Sequence, residues 1–242
     1  SNATLRADEA WRVGVGKVDI TPEEPVRLSG YAVRVESSAG VADPIAARAM
    51  VISPANAKDD SQSLVLVSID AIGVSSAMTV AVSHWLEEQY AMPRSQLAIS
   101  STHSHSTPHQ TGLIKNLFPV PSTAEQVAAS ERYTERLHTA IEQAITAAME
   151  SRTAAHLSIG NAQANFAKNR RAQADGPVDH RVRLLIARGD DGLVLGAAFM
   201  YACHCTTPGS NAEVSGDWAG LSASRLEQLH AGSVWLPIIG CG

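Results

Sequence analysis

The sequence predicts an α/β domain, a mixed β-sheet core flanked by helices with antiparallel additions. Three observations carry that prediction. Strand-like and helix-like segments alternate through the early part of the chain. One long segment repeats apolar residues every four positions, which a helix turns into a continuous stripe. Two later apolar runs are joined by Gly189, Asp190, Asp191 and Gly192, the composition of a hairpin turn.

The elements follow in order. Residues 11–20 read as a strand, with Val13, Val15, Lys17 and Asp19 alternating against Gly14, Gly16 and Val18 until Thr21 and Pro22 stop it. Residues 25–38 are irregular and contain Gly30 and Tyr31. Residues 45–52 and 64–69 are strand-like, and the second is almost wholly β-branched or leucine, as a central strand is. Residues 75–90 read as a helix with Met78, Val82, Trp85 and Leu86 on one face. Residues 96–101 form a strand that runs straight into a histidine cluster, and residues 116–124 are a loop with Pro119 and Pro121. The long helix spans about residues 124–150, with its stripe on Tyr133, Leu137, Ile141, Ile145 and Met149. Residues 154–166 read as a strand, and residues 181–188 and 193–203 as a hairpin. Asp217 is placed to N-cap a helix to about residue 230, and residues 234–239 close the sheet. A single domain over residues 4–242 is expected. The apolar run into Gly240, Cys241 and Gly242 suggests that the natural chain continues, and Ser1, Asn2 and Ala3 resemble a tag-cleavage remnant.

Composition narrows the function classes. Apolar residues make up 45% of the 242 and charged residues 18%, so a sizeable core is available and wholesale disorder is excluded. Net charge is −5, and the longest basic run is Lys168, Asn169, Arg170, Arg171. Nucleic-acid binding is therefore disfavoured. No apolar stretch reaches the roughly 20 residues of a membrane-spanning helix. The three cysteines give no disulfide framework.

Nine histidines are many for this length, and three fall between His103 and His109. On a strand, residues i and i+2 face one side, so His103 and His105 are expected to project together at the strand's C-terminal end. That edge is where open α/β sheets place their active sites. A metal or catalytic site is favoured there over three exposed loop histidines. The metallo-β-lactamase pattern is excluded, because Thr107 and Pro108 stand where it needs Asp and His. Residues 202–208 mirror the first stretch, so His103 and His204 can meet at one ion. Cys203 and Cys205 are expected opposite His204 as small packing residues. Asn169, Arg170 and Arg171 offer a guanidinium for a carboxylate or oxyanion, against the alternative of a solvated loop charge. Asp70 ends an apolar strand and suits either a ligand-orienting role or a turn cap. His84, His138, His156 and His230 read as surface positions without a role.

Taken in order, these pieces resemble the N-terminal catalytic domain of the neutral/alkaline non-lysosomal ceramidases. The resemblance rests on residues 13–22 (VGVGKVDITP), 29–32 (SGYA), 47–49 (ARA), 102–108 (THSHSTP), Asn169 with Arg170, 203–207 (CHCTT) and 215–220 (SGDWAG), within a likeness covering about residues 11–242. It implies hydrolysis of a linear amide between a fatty acyl chain and a sphingoid base, with one Zn2+. It implies His103 and His204 as metal ligands, His105 as a nearby catalytic histidine, and Arg170 as a catalytic and substrate-binding residue. The partner implied is a small-molecule or lipid-like amide, and family members are often secreted or surface-exposed. The family's remaining ligands, a Glu and a Tyr, lie beyond this chain, and Gly240 stands where the family has a serine. The resemblance therefore also admits a member that is not a true ceramidase, or a degenerate one that binds a ligand without turnover. Two imidazoles alone hold zinc weakly, so these 242 residues are expected to be poorly active or inactive.

Overall fold

The structure is a computed structural model that describes residues 11–171 and 176–241. Its strands are β1 (Trp11–Asp19), β2 (Gly40–Val41), β3 (Ala46–Pro54), β4 (Leu64–Ile69), β5 (Leu97–Ser101), β6 (Thr153–Gln163), β7 (Arg181–Arg188), β8 (Val194–Tyr201), β9 (Glu213–Val214) and β10 (Val234–Ile239). The helices are α1 (Ser76–Tyr90), α2 (Ala124–Glu150) and α3 (Asp217–Leu229). Eight strands form one mixed sheet in the order β10-β8-β7-β6-β1-β3-β4-β5, and β2 pairs with β9. The α/β class with antiparallel additions is what the sequence predicts.

The sheet folds over on itself. β1 and β6 pair through three residues only, Trp11–Val13 against Thr153–Ala155, while β1 pairs with β3 along its whole length. That short ladder is the fold line between two half-sheets. Val13, Met50 and Ile52 from one half pack against Ala155, Ala187, Ala198, Val234 and Leu236 from the other. The outer face of the first half, with Ala47, Ala49, Val51, Val65 and Val67, is covered by α1 and the α2 stripe. The outer face of the second, with Phe199 and Trp235, is covered by α3 through Ala223, Trp218 and Leu226. The result is four layers, helix, sheet, sheet, helix.

Local chemistry explains the elements. Thr123 and Gln126 form a reciprocal capping box that starts α2, and Ser75 caps α1 by accepting from the Met78 N–H. The alternation of valine and glycine in β1 has a packing cause. A β-carbon at Gly14 would lie 2.0 Å from the Ala148 carbonyl oxygen, and one at Gly16 2.1 Å from that of Ala144. The glycines face α2 and let it lie directly on the strand, while the intervening valines face the inter-sheet core.

Two expectations are corrected. β6 ends at Gln163 and β8 at Tyr201, each short of the expected end. Asp217 is not the N-cap of α3: Gly216 holds that position, and Asp217 begins the helix with φ +58°. Its buried carboxylate instead accepts the backbone N–H of Thr207 at 2.9 Å and that of Trp218 at 2.5 Å. The local Ser-Gly-Asp pattern suits a cap, but the partner lies ten residues back along the chain.

Candidate metal centre

β4 and β5 are parallel neighbours in one half-sheet, and β8 and β10 in the other. Folding the sheet brings their C-terminal ends together. There His103, His105 and His204 meet, with one ring nitrogen from each lying within 4.8 Å of the others. The ring centroids of His103 and His204 are 4.7 Å apart, and those of His105 and His204 are 4.9 Å apart. Nε2 of His204 is 3.0 Å from Nε2 of His105.

The histidines arrive by turns rather than by strand alternation. β5 stops at Ser101, and His103 adopts φ +56°. The small hydroxyl residues between them hold the loop. Ser104 Oγ donates to the Ser215 carbonyl, Ser106 Oγ to Asn211 Oδ1, and Thr107 Oγ1 to the Ser104 carbonyl. The two histidine loops are also joined directly, because the His105 N–H donates to the Cys205 carbonyl at 3.1 Å. Trp218 Nε1 donates to the carbonyl of His204. Alternation fails for Cys203 as well. β8 has already ended, and Cys203 lines the same cleft as His204, while Cys205 is fully buried as expected. Burial raises both thiol pKa values, with Asp217 adding to it, so both stay protonated.

The donor set fits a metal ion. His103 Nδ1 lies 2.7 Å from the Ile72 carbonyl, which can only accept a hydrogen bond, so Nδ1–H donates it. That fixes the tautomer and leaves Nε2 with its lone pair free for a ligand. Burial, then the neighbouring His103 and His204, push the His105 pKa down to about 4, so His105 is neutral near pH 7. Neutral imidazole is the form that binds zinc, and two nitrogens on one tetrahedral zinc sit roughly 3.3 Å apart.

Residues that the sequence did not point to shape the pocket. Gly30, with φ +93°, packs so closely that a β-carbon there would be 2.5 Å from that of His105. Tyr31 meets the His105 ring edge-on at 5.1 Å. Buried Arg34 donates to the carbonyls of Ser29, His105 and Asn211, clamping three loops around the histidines. Gly30 and Tyr31 stood inside a quoted segment, but nothing in the local pattern marks Arg34. Asp70 is buried away from the cleft, accepting from Ala46 N–H and paired with Arg48 at 2.8 Å. His138 and His156 pair with Glu142 and Asp190 on the surface.

A cleft of about 270 Å³ opens beside His204, walled by Lys168, Asn169, Arg170, Arg171, Ala202, Cys203 and Cys241 among others. Arg170 is exposed on this wall. The structure thus brings His103, His105 and His204 into one cluster and sets Arg170 on the cleft beside it.

Residues 11–236 match the profile of a family described as neutral/alkaline non-lysosomal ceramidase, N-terminal. Comparison with curated protein sequences finds no significant match. Among solved structures, the chain is similar to the neutral ceramidase from Pseudomonas aeruginosa, with a TM-score of 0.78 and 22% identity over 96% of this chain and 38% of that one. It is also similar to a ceramidase complexed with C2, with a TM-score of 0.77 and 22% identity over 96% of this chain and 37% of that one. The chain thus spans less than two fifths of the length of either. No described helix is long and apolar enough to cross a membrane. With nearly its whole length matched by one profile and its fold shared with these structures, the chain belongs to the neutral/alkaline non-lysosomal ceramidase family, as its N-terminal part.

Proposed function

We propose that this chain carries the metal-binding half of a zinc-dependent hydrolase that cleaves a linear N-acyl amide, small or lipid-like. The observation that supports this most is the cluster of three histidines, with ligand nitrogens within 4.8 Å of one another, at the converging C-terminal ends of parallel strand pairs. In this reading His103 and His204 hold the metal. When bound, zinc supplies Lewis acidity, polarising a carbonyl and acidifying water. The Ile72 carbonyl keeps His103 in the tautomer whose Nε2 is a donor. His105 takes the proton of the attacking water and returns it to the leaving nitrogen. Arg170 presents its guanidinium from the cleft wall to the substrate carbonyl oxygen as negative charge develops there.

A second reading of His105 has its own support. A histidine with a pKa near 4 is a weak base at neutral pH but a good neutral ligand, and its Nε2 already lies 3.0 Å from that of His204. It would then be the third protein ligand that a catalytic zinc takes.

Zinc titration calorimetry on the chain and on His103→Ala, His204→Ala and His105→Ala tests both readings. His103→Ala and His204→Ala should each weaken zinc binding at least about tenfold. His105→Ala should leave affinity within about threefold if it is the proton carrier, and lower it as much as the others if it is a ligand. Zinc binding unmoved by all three substitutions overturns the proposal. Hydrolysis of N-acyl amides by a chain that also carries the family's later segments then separates an enzyme from a member that binds without turnover.

A further inference from the structure

The Ile72 carbonyl that orients His103 lies in neither a strand nor a helix, since β4 ends at Ile69 and α1 begins at Ser76. Among the described residues, two hydrogen bonds reach residues 71–74 from elsewhere in the chain. One is that of His103 Nδ1 to the Ile72 carbonyl at 2.7 Å. The other comes from Gln110, whose Nε2 donates to the carbonyl of Gly73 at 2.9 Å. Leu113 rests on the same backbone, because a β-carbon at Gly73 would lie 3.3 Å from its Cδ2. Gln110 is held in turn. Its carbonyl accepts the Leu113 N–H at 3.2 Å, and the next residue, Thr111, donates its N–H to Thr134 Oγ1 of α2 at 2.9 Å. A line of contact thus runs from α2 through Gln110 and Gly73 to Ile72 and the His103 ring. Core packing alone does not account for Gln110, which is 1% exposed. Only its NH2 can donate to a carbonyl, so Oε1 faces away, and that buried oxygen has no partner among the described residues. An unpaired buried amide oxygen costs stability, and an apolar side chain of similar length avoids that cost. What an apolar side chain cannot do is donate to Gly73.

We propose that Gln110 is a positioning residue for the metal centre: by holding the Ile72–Gly73 backbone it keeps the Ile72 carbonyl against His103 Nδ1, so that Nε2 presents its lone pair to the histidine cluster. The inference rests on the reading of His103 as a metal ligand. Gln110 is not itself a ligand and acts only through the backbone between it and His103. With the carbonyl displaced, His103 loses the acceptor that fixes its proton on Nδ1. The proton can then reside on Nε2, the nitrogen that a metal needs, and the ring loses its fixed orientation. Metal binding must restore both before a bond forms, which lowers apparent affinity by the fraction of chains in the competent state while every ligand is still present.

The test compares the chain with Gln110→Met, which keeps the length and loses the donor, and Gln110→Glu, which keeps the shape and turns only acceptors toward Gly73. In the metal-free chain, with chelator present, nitrogen-15 NMR of the histidine rings reads the His103 tautomer directly, the signal being assigned by its absence in His103→Ala. The parent should show one tautomer, protonated at Nδ1, and both variants a mixture that includes the Nε2-protonated form. Calorimetry should give a zinc dissociation constant raised about tenfold in each variant, the lower end for outer-shell changes. A variant that loses stability in urea while its His103 tautomer and zinc affinity match the parent has lost packing only, and overturns the proposal. A parent whose His103 is protonated at Nε2 overturns it as well, and that measurement needs no variant to fold. If the parent binds no zinc, the reading of His103 as a ligand fails, and the NMR comparison still decides whether Gln110 sets the ring.

Discussion

At Gly30 the backbone has φ +93° and approaches His105 until there is no room for a side chain between them. An alanine there meets two penalties, a left-handed conformation and a β-carbon 2.5 Å from that of His105. Because the overlap is with the Cα and Cβ of His105, relief requires moving the histidine itself. If His105 is a metal ligand, Gly30→Ala is therefore expected to preserve the fold by circular dichroism while weakening zinc binding roughly 10–100-fold; if His105 is the proton carrier, affinity should stay within about threefold. In the ligand case, zinc affinity equal to that of the parent chain would show that His105 does not depend on this contact. At this scale the sequence was legible wherever the chemistry is local. Two histidines among hydroxyl residues after a strand point to a site, and the hydroxyls do bond within and around that loop. Asp217 was misread because its partner, the Thr207 N–H, is made adjacent by the fold and not by the pattern. Arg34 was invisible for the same reason, since its acceptors are carbonyls, which every residue has.

The elements are locked together by a buried charge group as well as by apolar faces. Arg48 of β3 is fully buried and meets Asp70, just past β4, at 2.8 Å and Glu227 of α3 at 3.1 Å, and Glu227 in turn meets Lys17 of β1. Burial pulls the Arg48 pKa down, but the two carboxylates outweigh it and keep the guanidinium charged. Removing the cation leaves Asp70 buried and unpaired, which costs about 3–5 kcal/mol. Arg48→Met should lose stability on that scale in urea unfolding, and Arg48→Met combined with Asp70→Asn should recover part of it. A single variant within about 1 kcal/mol of the parent would mean that water or movement compensates the charge. The positions of strands and helices were readable because periodicity is local, and α2 spans Ala124–Glu150, the range expected from the sequence. Their pairing was not. The fold line depends on Trp11–Val13 finding Thr153–Ala155, and the four-layer packing depends on two half-sheets each being apolar on both faces. The valine and glycine alternation of β1 does contain that information, but its meaning becomes visible only with α2 lying on it.

For the molecule as a whole, closure of the two half-sheets is what brings the histidines together. β5 is one edge of the eight-strand order and β8 lies next to the other, yet the halves touch, with Ser68 Oγ of β4 donating to the Pro237 carbonyl of β10 at 2.5 Å. Burying imidazoles at that closure has a cost that pH exposes. His105 is held down to about 4 by burial and by His103 and His204, and His109 is lowered by burial and by Arg27. In the unfolded chain both return to an ordinary value near 6.5. Between about pH 4 and 6.5 the unfolded state therefore binds more protons, and stability rises with pH. The stabilising contribution is complete above about 6.5 and is lost as pH falls through that window. Asp43, whose carboxyl burial raises, works in the opposite sense and softens the loss. With a discount for partial exposure, the metal-free chain should be on the order of 1–2 kcal/mol less stable at pH 4.5 than at pH 7 from this source. Urea midpoints at the two values, with chelator present, measure the difference, and His105→Asn should reduce it. Stability that is flat or rises toward pH 4.5 would contradict neutral buried imidazoles. Saturating zinc should then raise the midpoint at pH 7 and lose that effect as the solution is acidified, because protons and metal compete for the same nitrogens.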